Sequence, residues 1–432
     1  MNAALRSFEA QWRARTPDAL QPIREQAMQR FLKLGLPLQR DETWRYTDLR
    51  ILAAQSFATA ACESDGALAD VPLSLVDAEQ RATTVVLVNG CPPPPASIPA
   101  IDGIEINSIR ELSKIDPNLV ARFFEPASDD DQRRWVLLNT ALFADGLYFK
   151  ISKAVSAPLV ILHLSSGEAD QVAHPRIIID VLPGSSATII EHHVSHGDAA
   201  PLSNSNTHIS LGTDAQLEHY RVYAAGAGAS QLDALDIHQA ARSRCKQFTI
   251  GLGGSLVRSS LEAHLSQPGA SLESYSLLVG HEDRHLDCVN IVTHAAPDTR
   301  SRQTARAIAS DVSRVIFNSK VIVKAGAAHS DSQQSCRGLL LSPQAEIDTR
   351  PQLEIHADEV KCAHGATTGR LDPNMLFYLL SRGLDRETAQ SLLVYAFLAD
   401  VLSGMSVSSA RSAIESALIS QLPDSQLLRK FR

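Results

Sequence analysis

Apolar residues recur at helical spacing over the first part of the chain. Phe8 and Trp12 stand one turn apart, and Ile23, Ala27, Phe31 and Leu34 form a stripe with Met28 and Leu32 beside it. Pro22 suits the first turn of the second of these helices. Gly35 and Pro37 end it, because glycine accepts the left-handed backbone past a helix end and proline cannot continue the helix. The pattern then loosens: Thr83 to Val88 reads as a strand, Pro92 to Pro95 as a loop, and Asp129, Asp130 and Asp131 ahead of Arg133 and Arg134 as a solvated boundary. A mostly helical N-terminal domain is therefore predicted over 1–134.

From Trp135 to about residue 370 the texture becomes short β-branched runs between small and polar turns, as in Ile177 to Leu182, Ala187 to Ile190 and Val321 to Val323. A turn of small or polar residues, then Ala, then a polar and an apolar residue recurs around Ala187, Ala215, Ala270 and Ala345. Successive alanines lie 28, 55 and 75 residues apart, which reads as one, two and three steps of about 25 to 28 residues. Such spacing predicts a mainly β fold, a right-handed parallel β-helix core over 135–370 in which each coil buries its apolar face against its neighbours. A β-sandwich with similar turns is the competing architecture.

After 370 the pattern turns helical again, giving a C-terminal helical domain over 371–432. Asp372 caps a helix with Pro373 at its first position, Leu376, Phe377 and Leu380 on one face, and Gly383 as its stop. Asp385 caps a second helix with Ala389, Leu392, Leu393, Ala396 and Phe397 facing inward and Gly404 beyond its end. A third helix is predicted over Ala410 to Leu422. These helices could seal the end of the β-helix or dock a partner.

Composition narrows the function. The 432 residues are 44% hydrophobic and carry a formal net charge of -8, so the chain can bury a large core and lacks the positive field a nucleic-acid binder needs. No apolar stretch approaches the length of a membrane span. The first residues mix Arg with Glu9, Asp18 and Glu25, matching neither a signal nor a transit peptide. Six cysteines without a CxxC pair are too sparse for a disulfide framework and fit a reducing, cytoplasmic setting. A self-contained four-cysteine metal site is equally disfavoured, so a partner would supply ligands for any metal chemistry.

Several motifs carry little. His281-Glu282-Asp283-Arg284-His285 matches the zinc-protease string, but strand-like segments flank it and place it in a turn, where the two histidines cannot converge as they would on a helix. His192, His193 and His196 read as surface and edge residues of a strand. Gly251-Leu252-Gly253-Gly254 lacks the context of a dinucleotide site, and neither a Walker sequence nor a nucleophile elbow is present. Cys362-Ala363-His364 remains: residues two apart on a strand share a face, so a thiolate and an imidazole here could approach one iron. The plainer reading is a buried cysteine beside a hydrogen-bonded histidine.

The segment from Pro351 through Cys362 and His364 to Leu371 resembles the signature of the SufB/SufD family of iron–sulfur assembly proteins. Asp311, Arg314, Val315 and Phe317, the strand Val321-Ile322-Val323, Gln334 and Leu339-Leu340-Leu341-Ser342 extend the match upstream, and Leu376 to Leu379 with Ser381-Arg382-Gly383 extends it downstream. Glu42-Thr43-Trp44-Arg45-Tyr46-Thr47 resembles the family's N-terminal entry motif. Ala345 where SufB members carry cysteine, and His364-Gly365-Ala366-Thr367 where they carry His-Glu-Ala-Thr, point to the SufD type. The resemblance implies a non-enzymatic scaffold that pairs with a SufB-like subunit through β-helix edges and docks a SufC-like ATPase on its C-terminal helices. It also implies a nascent iron–sulfur cluster at the shared interface, with His364 as metal ligand and Cys362 beside it. A homodimer of the isolated chain and a flavin in the complex are compatible with it. Glu359 replaces the usual second aspartate of the motif, which puts a carboxylate role there in question. Two other functions stay open at this point: a purely structural partner in that complex, and a β-helix enzyme acting on polysaccharides, against which the 5% aromatic content speaks.

Overall fold

The computed structural model describes residues 2–62, 80–124, 133–196 and 200–421. The acidic run Asp129 to Asp131 and the end of the third C-terminal helix at Leu422 lie outside these residues.

The N-terminal helices follow their sequence signals. Helix α1 (Ala3–Ala14) is capped by the Asn2 side chain, which accepts from the Leu5 amide, and its Phe8 is fully buried. Helix α2 (Gln21–Leu34) carries Pro22 in its first turn and ends at Gly35, whose φ of 69° lies in the left-handed region. Three short helices follow, α3 (Arg50–Ala54), α4 (Ile109–Ile115) and α5 (Pro117–Ala121). Interspersed strands tie this region to the core: β1 (Ala58–Thr59), β2 (Thr84–Val88), which is the predicted strand, and β3 (Ile104–Ser108).

Trp135, where β texture was expected to begin, instead sits in helix α6 (Arg134–Leu142). The segment is a helix buried on most sides: Trp135, Leu138, Asn139, Thr140 and Ala141 are covered, and the Asn139 amide donates to the carbonyls of Pro175 and Asn204, pinning the helix to the coils.

The core is a parallel β-helix made of two stacked sheets, and each coil contributes one strand to each. The first sheet contains β3, β4 (Leu147–Ile151), β7 (Arg176–Val181), β9 (Leu202–Leu211), β11 (Ser230–Gln239), β13 (Leu256–Leu265), β15 (His285–His294), β17 (Arg314–Val323) and β19 (Glu346–Ile355). The short β6 (Gln171–Ala173) joins β1 to β9 at its margin. The second sheet contains β2, β5 (Leu159–Ser165), β8 (Ser186–Ser195), β10 (Gln216–Tyr223), β12 (Arg244–Gly251), β14 (Ser271–Gly280), β16 (Arg300–Ala309), β18 (Asp331–Leu340) and β20 (Lys361–Gly369). All pairings are parallel except β3 with β4.

The coil step is slightly longer than the alanines implied. Arg244 opposes Ser271, 27 residues on, and Arg300 opposes Asp331, 31 on. Ala187 opposes Leu217, so it is not the counterpart of Ala215. Ala345 precedes β19 in the other sheet, so the 75-residue interval from Ala270 spans two and a half coils rather than three.

What repeats is a residue with positive φ followed by a small buried one: Gly184-Ser185, Asp214-Ala215, Arg242-Ser243, Gly269-Ala270, Asp298-Thr299 and His329-Ser330. The left-handed backbone costs a non-glycine residue about 1–2 kcal/mol. A ladder of amide hydrogen bonds between successive turns offsets this, for example Asp214 to the Ala241 carbonyl at 2.9 Å and Arg242 to the Pro268 carbonyl at 3.0 Å.

Helices cover both outer faces. Phe8, Phe31, Trp44 and Trp135 pack with Val172, Leu202 and Leu232 on the first sheet. On the second, Tyr220, Val222, Phe248 and Ile250 meet Val394, Leu398 and Val401 of helix α8 (Arg386–Ser403) and Ile414 and Leu418 of α9 (Ser408–Gln421). Helix α7 (Pro373–Ser381) and α8 are capped by Asp372 and Asp385, and α8 runs to Gly404, as expected. The buried stripe of α8 differs from expectation. Val394, Leu398 and Val401 go under, Leu392, Leu393 and Phe397 are half-buried, and Ala396 is exposed. The helix is apolar on more than one side, and the face is chosen by the sheet and by the Arg306–Asp400 ion pair. Helices α8 and α9 lie on the sheet, and among the described residues no helix closes the end of the β-helix. The last strands, β19 and β20, stay half-buried to exposed along their length.

Candidate functional site

The coil interior is divided lengthwise. Ile161, Ile189, Ile209, Leu235, Leu261 and Val292 belong to an apolar band, and a polar seam runs beside it. Inward-facing side chains on adjacent strands fall in register, so His219, Gln247, Ser274, Gln303, Gln334 and His364 form one column from β10 to β20. Gln303 and Gln334 are buried, and their amide groups have no hydrogen-bond partner in the structure. Burying such groups costs about 1–3 kcal/mol each, so the seam is not there for stability alone.

His364 ends this column. It is exposed on β20, which pairs only with β18 and leaves its other edge without a strand among the described residues. Cys362 opposes the fully buried Ser332, and its half-buried side chain packs against the apolar band. The register puts Cys362 and His364 on the same inward side, as the two-residue spacing required, because their partners Ser332 and Gln334 both face inward. Burial pushes the Cys362 thiol up, and a hydrogen bond with the Ser332 backbone pulls it partly back. The thiol is therefore held mostly protonated at neutral pH.

Glu359 precedes them in the turn, with φ of 56° and a carbonyl that accepts from the His329 amide at 3.0 Å. It is another rung of the turn ladder, and its side chain faces only the exposed His329 at 3.7 Å. Backbone conformation rather than the carboxylate thus accounts for this position. Glu359→Gly is expected to be neutral or to stabilise by up to about 1 kcal/mol, whereas Glu359→Ile should cost about 1–2 kcal/mol. Thermal unfolding of the two variants checks this, and equal destabilisation by both would contradict it.

The remaining sequence candidates resolve as follows. His281 and His285 flank a reversal between β14 and β15 with Glu282 at φ of 57°, so the protease string is not helical. Gly253 lies where a side chain would meet the Ala225 carbonyl oxygen at 2.4 Å, a close coil-to-coil approach and not a phosphate cradle.

His192 and His193 require correction. Both are buried, at 3% and 2% exposure, because β8 lies between β5 and β10 and is covered on both faces; His196 alone is exposed. His193 and Glu191 face inward with His163 and His219, a group that the sequence reading missed. Its signal was present in the alternation Glu191, His193 and His219, Arg221, Tyr223 on strands one coil apart. The structure also joins Cys62 to Cys91 in a disulfide, with Cα atoms 5.7 Å apart. Sparse cysteines gave no reason to expect it. The Asn89 amide grips the Ala61 carbonyl at 2.7 Å and brings the two segments together. Cys245, Cys288 and Cys336 are buried thiols pushed up to about 12 by that burial.

No helix among the described residues is long and apolar enough to cross a membrane. Comparison with known proteins matches residues 163–397 to the SufBD core domain of SUF system FeS cluster assembly and residues 5–161 to the SufBD protein N-terminal region. The iron-sulfur cluster assembly protein SufD of Escherichia coli is 29% identical over 96% of this chain and 95% of its own length. SufD of Bacillus subtilis is 23% identical over 93% of this chain and 94% of its own. An iron-sulfur cluster assembly SufBD family protein of Synechocystis is 28% identical over 88% and 86%. With both family models matched in order, together over most of the chain, the chain belongs to the SufBD family, as a member of the SufD type.

Proposed function

We propose that this chain is a non-enzymatic scaffold subunit for iron–sulfur cluster assembly, working in a cytoplasmic complex with a SufB-like subunit and a SufC-like ATPase. The observation that carries this reading is the exposed His364 at the end of a polar column, on a terminal strand whose outer edge is unpaired. An open edge of this kind offers a row of backbone donors and acceptors to a matching edge, so a partner β-helix can continue the sheets across β19 and β20. The same edges would pair two copies of the chain when it is alone. The cluster is cargo. The imidazole of His364 meets iron at that junction while the partner supplies thiolate, and the half-buried Cys362 plays the lesser part. The exposed Met375, Phe377 and Tyr378 of α7 give the ATPase an apolar contact next to the site. Flavin binding forms no part of the proposal.

The test is His364→Ala co-expressed with both partners. Complex yield should be unchanged while bound iron and sulfide fall by about tenfold or more, at least the loss expected for removing a ligand's supporting group. Normal cluster content, or loss of the complex itself, would instead favour the second reading, a purely structural subunit, which the half-buried and upward-shifted Cys362 thiol supports. The polysaccharide-acting reading has no support in the three relatives named above, whose names are those of cluster-assembly proteins.

A further inference from the structure

Four titratable side chains meet inside the second sheet, near the N-terminal end of the coils. His163 on β5, Glu191 and His193 on β8, and His219 on β10 are each no more than 5% exposed. His163 Nε2 lies 2.8 Å from Glu191 Oε2 and His219 Nε2 lies 2.7 Å from Oε1, while the Thr207 hydroxyl donates to Oε2 at 2.9 Å. The His193 ring stacks on His163 with centroids 4.4 Å apart, and its Nε2 has no hydrogen-bond partner. Asp233 Oδ2 stands 3.5 Å from that nitrogen. One donor atom from each of His163, Glu191 and His193 lies within 4.8 Å of the others.

We infer that His163, Glu191 and His193 form a buried site for a divalent transition metal of the zinc or ferrous class, separate from the cluster site proposed at His364. Two imidazoles and a carboxylate are a donor set that such ions take and that magnesium and calcium, which prefer oxygen, do not. His219 holds the second oxygen of Glu191, fixing the carboxylate's orientation.

Tetrahedral ligands at about 2.1 Å from zinc lie roughly 3.4 Å apart. The 2.8 Å contact between His163 and Glu191 therefore opens by about 0.6 Å to admit the ion, and the stacked His163 and His193 rings tilt so that both in-plane lone pairs reach it.

No sulfur belongs to this group. Six strand steps, from β8 to β20, separate its nearest ligands from His364, roughly 29 Å at about 4.8 Å per strand. Because every donor is buried, the ion would enter as the coils close, and its binding would contribute to folding.

The experiment is to unfold the full chain in chelator, refold it with zinc, cobalt(II) or no metal, and measure bound metal, visible absorption and thermal stability. The inference expects about one zinc or cobalt per chain, a higher melting temperature with metal, and an X-ray absorption first shell of nitrogen and oxygen only. His163→Gln and Glu191→Gln should lose the metal. Absence of stoichiometric metal, a sulfur-containing first shell, or full retention of metal in both variants would overturn it. If the variants do not fold, the first shell of the unmodified chain decides the question alone. Cluster yield in the His364→Ala complex is a separate readout, so failure here leaves that proposal unaffected, and the reverse.

Discussion

Phe248→Ala should destabilise the protein by about 3–5 kcal/mol, one of the two largest losses expected of any single substitution considered. Phe248 is fully buried on the outer face of the second sheet and stacks between Tyr220 and Tyr275, with centroids 4.7 and 4.8 Å away. Neither tyrosine can move into the gap: Tyr220 bonds Glu218 through its hydroxyl, and Tyr275 donates to Glu273 at 2.8 Å. A cavity is left where α8 and α9 rest, so the loss should appear both as a lower urea midpoint and as faster hydrogen exchange in those helices. Phe377→Ala on α7, where the ring is 72% exposed, should change stability by less than about 0.5 kcal/mol. Equal effects of the two substitutions would mean that the helices do not depend on the aromatic stack.

The contrast between those two phenylalanines marks what the sequence could and could not convey. Local pattern predicted the helix that carries Phe377 and a general β texture around Phe248. It could not say which would be covered, because that depends on the sheet face that α8 meets. The coil repeat was legible for a similar reason and misread in a similar way. Alanine is one of several small residues that fit the buried position after each left-handed turn, so counting alanines skipped Ser185, Ser243, Thr299 and Ser330 and fused turns from opposite sheets. Trp135 looked like the start of β texture because a short, mainly apolar segment can be a buried strand or a helix lying on one.

The site was legible where chemistry is local. Cys362 and His364 needed only strand alternation, and the register supports their common side. His193 was misjudged because burial is set by the neighbouring coils, 30 residues away in each direction. A single strand with adjacent histidines says nothing about that. Glu359 illustrates the opposite error: a side chain was weighed for chemistry at a position where the backbone sets the requirement.

Asp233→Asn should cost about 3–5 kcal/mol, because it breaks a buried ion pair and leaves one charge alone. Asp233 Oδ2 meets the Arg221 guanidinium and the Tyr223 hydroxyl, and all three side chains are no more than 4% exposed. Burial pushes the Asp233 carboxyl up, but Arg221 and His193 pull it down further, and the net direction is below its ordinary value. A carboxyl whose folded pKa lies below its unfolded pKa gives stability that is full above the unfolded value and is lost as pH falls through the folded one. Glu191 acts in the same sense: burial raises it, the hydrogen bonds from His163 and His219 outweigh that, and it settles well below its usual range. The unmodified protein should therefore hold its stability down to about pH 4.5, near the unfolded carboxyl values, and lose it progressively below. Asp233→Asn should start lower at neutral pH and fall less steeply in acid, since one of the protonating groups is gone. The double variant Asp233→Leu with Arg221→Met removes both charges and should recover most of the loss, as apolar replacements of buried pairs do. Urea unfolding at several pH values decides the matter: if the double variant is as unstable as Asp233→Asn at neutral pH, then shape, and not the unpaired charge of Arg221, sets the cost.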